Sequence, residues 1–256
     1  MKAMILAAGL GTRLRPLTDD RPKALVEIAG RTLLDITLSR LRSFGILEVI
    51  INVHHFAGMI LDYLAEHDNF GMRIEISREE ALLDTGGGLK KAAWFFLEDS
   101  NHRDEPFILH NVDVLSTVDI CRMVQFHKEK QALATLAVKD RKATRYLLFD
   151  DQLQLCGRVT AQELKSWQLS PSTATHAFGF GGIHVISPRL LGMMTGEGAF
   201  PITATYLRLA AQQERIIGFR TDEYYWRDLG RPENVAQAAE DLKAEFLVFR
   251  TWHPRY

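Results

Sequence analysis

Apolar residues in the first half of the chain fall in short continuous runs, separated by amphipathic stretches of helical period. Residues 3–7 form such a run and lead into Gly9, the pattern of a strand buried on both faces. Leu34, Leu38 and Leu41 recur at helical spacing, and Gly45 is placed to cap that helix. Residues 48–53 predict a second strand, 57–66 an amphipathic helix and 73–77 a third strand. Beyond these, 89–97 continues as helix, and 107–109 is a buried strand ending at Asn111-Val112-Asp113. Residues 118–130 then predict a helix and 132–138 a strand.

Strands separated by helices imply parallel pairing with right-handed crossovers. The expected fold is therefore α/β: a three-layer αβα sandwich around a mostly parallel, Rossmann-like central sheet. The second half reads differently. Residues 146–149, 152–155 and 177–186 predict strands of a mixed region, followed by helices at 189–194 and 202–212. Strands at 216–219 and 225–228 close it, and Pro232 starts a final helix to about Phe246. No Pro/Ser-rich linker, repeat or low-complexity run separates the halves, so one domain over 1–256 is expected, divided near residue 140.

Composition adds limits. The chain has 256 residues, 46 % hydrophobic and 25 % charged, the profile of an ordinary globular protein. A unit of this size buries roughly 70–75 % of its extended surface, enough for a core without staples. A net charge of −1 leaves no electrostatic footprint for nucleic acid or an anionic membrane. Arg141, Lys142 and Arg145 read as a solvated face. Cys121 and Cys156 stand far apart outside any CxxC pair, which predicts free, mostly buried thiols in a reducing compartment. The N-terminal apolar run is shorter than a signal-peptide core, and no stretch approaches the ~20 residues that span a bilayer. A cytoplasmic location is expected.

The densest chemistry lies at the start. Leu6-Ala7-Ala8-Gly9-Leu10-Gly11-Thr12-Arg13-Leu14-Arg15-Pro16 precedes Arg21-Pro22-Lys23-Ala24-Leu25. A glycine-rich turn after a buried strand lets backbone N–H groups approach an anion. A P-loop would need Gly-Lys-Ser/Thr, where Gly11-Thr12-Arg13 stands. A dinucleotide fingerprint would need a third glycine entering a helix, and Pro16 resists that continuation. What remains is a loop carrying guanidinium groups, with the Lys23 ammonium beyond it, suited to a triphosphate.

This segment resembles the signature of the sugar-1-phosphate nucleotidyltransferases, Leu-Ala-Ala-Gly-x-Gly-Thr-Arg-Leu-x-Pro-Leu-Thr followed by x-Pro-Lys-x-Leu. The resemblance implies a GT-A-like nucleotidyltransferase fold, with 1–140 as the NTP-binding half and 141–256 as the acceptor-binding half with a closing helix. It implies that Ala7, Ala8, Gly9, Gly11 and Thr12 wrap the NTP phosphates. It also makes Arg13 and Lys23 the catalytic cations.

Three further motifs extend the resemblance. Asp84-Thr85-Gly86-Gly87-Gly88 precedes a predicted helix, and three glycines there strip every Cβ from one spot, so something must approach the backbone. In the family this position lies against the nucleobase, and the form looks most like uridylyltransferases acting on N-acetylmuramate 1-phosphate; guanylyltransferases carry similar runs. Asn111-Val112-Asp113 places a carboxylate at a strand's C-terminal end, where open α/β sheets bind ligands. The family has Gly-Asp here, the Asp holding Mg²⁺, and Val112 replaces that glycine. Trp226-Arg227-Asp228-Leu229-Gly230-Arg231-Pro232-Glu233 resembles the segment whose Asp is the second metal ligand, although Asp228 also suits the approach to a helix that proline begins. Asp113 and Asp228 are thus the expected metal pair, two carboxylates being enough for an ion that retains waters and takes phosphate oxygens.

Gly181 and Gly182 lie where the family edges the sugar pocket, though glycines in a strand also mark bulges. The family's Glu-Lys-Pro segment is missing, with Glu163-Leu164-Lys165 a distant stand-in. His54 and His55, adjacent on a strand, point to opposite faces and make a poor chelate; a loop role or plain solvation is expected.

The implied reaction is attack by a phosphorylated acceptor, a sugar 1-phosphate, on the NTP α-phosphorus, with UTP favoured as donor and pyrophosphate released. The attacking phosphate is already ionised, so no general base is needed. Two rivals remain: a cytidylyltransferase for phosphocholine or a phosphonate, using Tyr224, Tyr225 and Trp226 against an amine, and a non-catalytic NDP-sugar-binding subunit. Residues 251–256 carry no hexapeptide repeat, so no appended acyltransferase is expected.

Overall fold

A computed structural model describes residues 1–98, 104–167 and 175–249; residues 251–256 lie outside the described residues. In chain order the elements are β1 (Lys2–Leu6), β2 (Glu27–Ile28), β3 (Arg31–Thr32), α1 (Leu33–Ser43), β4 (Glu48–Val53), α2 (Ala57–Glu66) and β5 (Arg73–Arg78). There follow α3 (Asp84–Lys91), α4 (Ala93–Leu97), β6 (Phe107–Asn111), β7 (Val114–Ser116), α5 (Ile120–Glu129), β8 (Ala134–Lys139), β9 (Arg145–Asp150) and β10 (Leu155–Thr160). The last are α6 (Ala161–Trp167), β11 (Thr175–Ile186), α7 (Ile202–Ala211), β12 (Ile216–Arg220), β13 (Trp226–Asp228) and α8 (Pro232–Phe249).

These elements gather into two compact units, each assembled from separate stretches of chain. The first takes Met1–Leu82, His110–Ser116 and Trp226–Tyr256. Its sheet runs in the order β6-β1-β4-β5, with β1, β4 and β5 pairing in parallel as the alternation of strands and helices predicts. Met4, Ile5, Ile50 and Ile51 are fully buried, which is why these strands read as unbroken apolar runs. Helix α1 begins where the Thr32 hydroxyl accepts from the Asp35 N–H at 3.0 Å, and Gly45 follows it at φ 75°. Beside this sheet, β7 and β13 form a short antiparallel ladder, Trp226 opposite Ser116 and Asp228 opposite Val114.

The second unit takes Leu83–Leu109 and Thr117–Tyr225. Here β11 pairs antiparallel with both β9 and β8, β10 pairs antiparallel with β9, and β12 runs parallel to β8. The mixed character expected of the second half is present. Alongside the parallel strands of the first unit, it gives the α/β class that the alternation implied.

The structure departs from the sequence pattern in identifiable places. Residues 89–97 are not one helix. Helix α3 starts earlier, at Asp84, and ends at Ala92, where α4 begins. Residues 152–154 make a turn rather than a strand: Asp150 Oδ1 accepts the N–H groups of Gln152 and Gln154, each at 2.9 Å, and Leu153 sits at φ 60°. Helix α6 had no apolar period to announce it, but Thr160 and Glu163 open it with a reciprocal capping box. Residues 188–193 form a 3₁₀ helix. Both cysteines are free, as expected, yet exposed rather than buried. Cys121 lies off the inward stripe of Ile120, Met123 and His127 on α5, and Cys156 lies on the outward side of β10.

Candidate functional site

The glycine loop is ordered by its own chain. Gly11 takes φ 66°, and its carbonyl accepts both the Leu14 N–H and the Thr18 hydroxyl at 2.8 Å. Thr12–Leu14 then makes a single 3₁₀ turn that ends before Pro16, as the missing helix fingerprint predicted. A side chain at Gly11 would strike Thr18, whereas one at Gly9 would meet nothing within 4 Å. The two glycines are therefore needed for different reasons: Gly11 by the fold, Gly9 by nothing in the folded chain itself. Ala7 and Ala8 are buried beneath the loop, while Thr12 and Arg13 are exposed.

The expected cations and carboxylates of the first unit converge. The Lys23 ammonium bonds directly to Asp113 Oδ2, with side-chain exposures of 12 % and 18 %, so this pair is shielded from bulk water. Asp113 sits in the two-residue turn between β6 and β7, and its carbonyl accepts the Leu229 N–H at 2.8 Å. Asp228 lies one residue earlier, opposite Val114 in the β7–β13 ladder. Its Oδ1 accepts the Gly230 N–H at 2.6 Å, and its backbone carbonyl accepts from Asn234 Nδ2 at 2.8 Å. A Cβ on Gly230 would stand 2.7 Å from Asp228 Oδ1 and 2.9 Å from Arg13 Nη2. The Arg13 guanidinium and the Asp228 carboxylate therefore border one space, which is open because residue 230 has no side chain.

Val112, which stands where the family has glycine, is 3 % exposed, and its N–H donates to the Leu6 carbonyl at 3.2 Å. The substitution thus points into the core. Asn111 is half-buried at the end of β6, and its carbonyl is bonded to His110 Nδ1 at 2.8 Å. His110 is fully enclosed, and burial pulls its pKa down to about 4.

The donor set fits a hard divalent cation. Asp113 and Asp228 offer carboxylate oxygens from adjoining positions of one ladder, and no cluster of three or more His, Cys, Asp or Glu occurs among the described residues. Two such carboxylates match an ion that completes its shell with water and phosphate oxygens.

In the second unit, Gly86, Gly87 and Gly88 are buried inside the first turns of α3, not ahead of it. The close approach that three glycines announce is made by the chain itself. Gly86 N–H donates to the Phe200 carbonyl at 2.8 Å, and a Cβ on Gly87 would stand 2.3 Å from the Gly198 carbonyl oxygen. Gly181 and Gly182 fall in a register shift of the β11–β8 ladder between Phe180 and His184, with Gly182 at φ 75°. This is the bulge that strand glycines can signal.

Arg141 is not simply solvated. Its Nη2 donates to the Phe180 carbonyl at 2.7 Å, and with Lys142, Tyr146, Thr175 and His176 it lines a cavity of about 420 Å³ in this unit. Glu163 is occupied by its capping box, and the Lys165 side chain lies outside the described residues. Among the expected amine-binding aromatics, the Tyr224 hydroxyl accepts from Arg122 at 2.7 Å.

Two residues that the pattern did not single out belong to the first unit's site. Asn52 and Glu79, each 3 % exposed, are bonded to one another at 2.7 Å directly behind the loop. Asn52 showed in the sequence as a polar residue near the end of an apolar strand, whereas Glu79, among Ser77, Arg78 and Glu80, gave no such signal. His54 completes the group, its Nδ1 2.9 Å from the Glu79 carbonyl oxygen, while His55 is exposed.

Known proteins resemble this chain over most of its length. The profile of the nucleotidyl transferase family matches residues 2–245. An N-acetylmuramate alpha-1-phosphate uridylyltransferase of Caulobacter vibrioides is 32 % identical over 252 residues, covering 95 % of this chain and 97 % of that one. A UTP–glucose-1-phosphate uridylyltransferase of Synechocystis is 36 % identical, covering 93 % of this chain and 62 % of its own length. A mannose-1-phosphate guanylyltransferase of Mycobacterium tuberculosis is 30 % identical, covering 94 % and 64 %. The chain thus spans less than two thirds of the latter two. Among solved structures, a UDP-glucose pyrophosphorylase complexed with UDP-glucose superposes with a TM-score of 0.75 at 16 % identity, covering 95 % of this chain and 98 % of that one, a likeness of fold.

Proposed function

We propose that this chain, which belongs to the nucleotidyl transferase family, couples UTP to a sugar 1-phosphate and releases pyrophosphate. The observation that carries the reading is the convergence in one unit of Lys23, Asp113, Asp228 and Arg13 beside a loop whose Gly9 is left bare. That set answers the needs of in-line transfer, where charge must be neutralised and oxygens held in line while no group on the protein need be alkylated or phosphorylated. Arg13 and Lys23 bind and neutralise phosphate oxygens, and Asp113 and Asp228 hold Mg²⁺. The cation supplies further charge neutralisation on the phosphates. The acceptor attacks with an oxygen already ionised at neutral pH, so the mechanism needs no general base.

UTP is favoured because two of the relatives named above are uridylyltransferases, one of them matched over nearly its whole length. The guanylyltransferase relative keeps GTP as the competing donor. A product of this kind feeds cell-envelope glycans, and its NTP donor places the work in the cytoplasm. Among the described residues no helix is long and apolar enough to cross a membrane.

A pyrophosphate-release screen crossing the four NTPs with sugar 1-phosphates and phosphocholine tests the reading. Turnover with UTP and a sugar 1-phosphate is expected. Turnover confined to CTP with phosphocholine, or NDP-sugar binding without any turnover, would overturn it in favour of one rival or the other.

A further inference from the structure

The peptide unit joining Leu6 to Ala7 is the last before the glycine loop, and it is held at both polar atoms. Its carbonyl accepts from the Val112 N–H at 3.2 Å, and its N–H donates to Asn52 Oδ1 at 2.7 Å. Asn52 in turn donates from Nδ2 to Glu79 Oε1 at 2.7 Å. The register of the parallel sheet makes this possible, since Asn52 stands opposite Leu6 on one side and Ser77 on the other. Glu79 follows just past β5, its backbone N–H on the Val53 carbonyl at 2.8 Å and its carbonyl on His54.

An amide can present either edge, but a carboxylate accepts and cannot donate. Glu79 therefore takes the NH₂ edge of Asn52 and turns the amide oxygen toward Ala7. Burying a carboxylate and an amide side by side is costly unless both are bonded, so this pair specifies a direction rather than filling space.

We propose that Asn52, oriented by Glu79, is a positioning residue for the NTP: it fixes the angle at which the loop from Ala8 to Gly11 leaves β1. The inference rests on the reading above that this loop cradles a triphosphate. It touches no substrate in this role. It acts by holding Ala7, while Val112 holds the other side of the same peptide and ties it to the segment that carries Asp113. The loop and the metal carboxylate thus share one anchoring peptide.

The test is a charge-exchanged pair. Asn52→Asp sets two carboxylates against each other, and adding Glu79→Gln restores one donor edge facing one acceptor edge at unchanged net charge. Binding of each NTP is measured by calorimetry without acceptor, kcat and both KM values by pyrophosphate release, and folding by thermal melting. N52D is expected to weaken UTP binding and kcat/KM for UTP about 100-fold, as misplaced binding groups do, with the acceptor KM unchanged. The N52D/E79Q double variant is expected to recover most of that loss. A folded N52D that binds UTP as the wild type does, or a folded double variant as impaired as N52D, overturns the inference. If N52D does not fold, Asn52→Ser, too short to reach Ala7, takes its place with the same two outcomes for UTP binding. A wild-type protein that binds none of the four NTPs would instead overturn the functional reading itself.

Discussion

The Leu229 N–H donates to the Asp113 carbonyl at 2.8 Å. That one bond continues the β7–β13 ladder past Asp228, and it sets the two candidate metal carboxylates on adjoining positions, although they stand 115 positions apart in the sequence (228 − 113). Losing either carboxylate while keeping the ladder is therefore a clean experiment. Asp113→Asn and Asp228→Asn are each expected to cut kcat by about 100- to 1,000-fold, with the melting temperature nearly unchanged for Asp228→Asn and lowered for Asp113→Asn, which leaves the shielded Lys23 unpaired.

Lys23 occupies an oxygen of Asp113 and so competes with a divalent cation for that carboxylate. Lys23→Met should bind Mg²⁺ or Mn²⁺ about tenfold more tightly, the worth of one charge-assisted bond, while losing most turnover. Calorimetric titration of the metal, without nucleotide, checks it; equal or weaker metal affinity would show that the pair does not hinder the ion.

Gly230 keeps open the space shared by Asp228 and Arg13. Gly230→Ala should displace both side chains and lower kcat about 10- to 100-fold, with little change in folding, since the residue borders side-chain ends as well as the carboxylate. Full activity in this variant would mean that Arg13 and Asp228 need not be close during turnover.

Gly9 and Gly87 should respond in opposite ways. A methyl at Gly9 meets nothing in the chain, so Gly9→Ala is expected to melt like the wild type but to raise the KM for NTP. A methyl at Gly87 meets the Gly198 carbonyl at 2.3 Å, so Gly87→Ala is expected to destabilise the fold by about 1–3 kcal/mol. Urea unfolding and initial-rate kinetics on the same two proteins distinguish the outcomes.

Burial holds His110 and His127 near pKa 4, below the ordinary 6.5. Above pH 6.5 neither the folded nor the unfolded chain protonates them. Between pH 6.5 and 4 the unfolded chain takes the proton and the folded one does not, so stability is lost across that window, by up to about 3 kcal/mol per ring. His127 sits between the Thr135 and Ser187 hydroxyls at 2.9 and 3.0 Å. Urea midpoints from pH 7.5 to 4.5 should fall, and His127→Gln should flatten the curve by roughly one proton's worth; an unchanged slope would place the titration elsewhere.

The sequence alone determined the longer strands and helices of the first unit, while its short strands β2, β3 and β7 left no period in the chain. The strand 48–53 and the helix 57–66 appear with their predicted bounds, because a strand buried on both faces and a one-sided helix each write a period into the chain. Gly9, Lys23, Asp113 and Asp228 were legible as chemistry, since a bare glycine, a cation and two carboxylates at strand ends have few other uses together. Only tertiary structure decided what each glycine is for. Gly11 answers to Thr18, Gly87 to Gly198, Gly230 to Asp228 and Arg13, and Gly9 to no atom of the chain, because which atom forbids a Cβ is set by how the chain folds back around each position. The same holds for Asn52 and Glu79. Asn52 shows in sequence as an irregularity in an apolar strand and Glu79 as an ordinary charge, and their meaning as a directed bond to Ala7 appears only when three strands are brought into register.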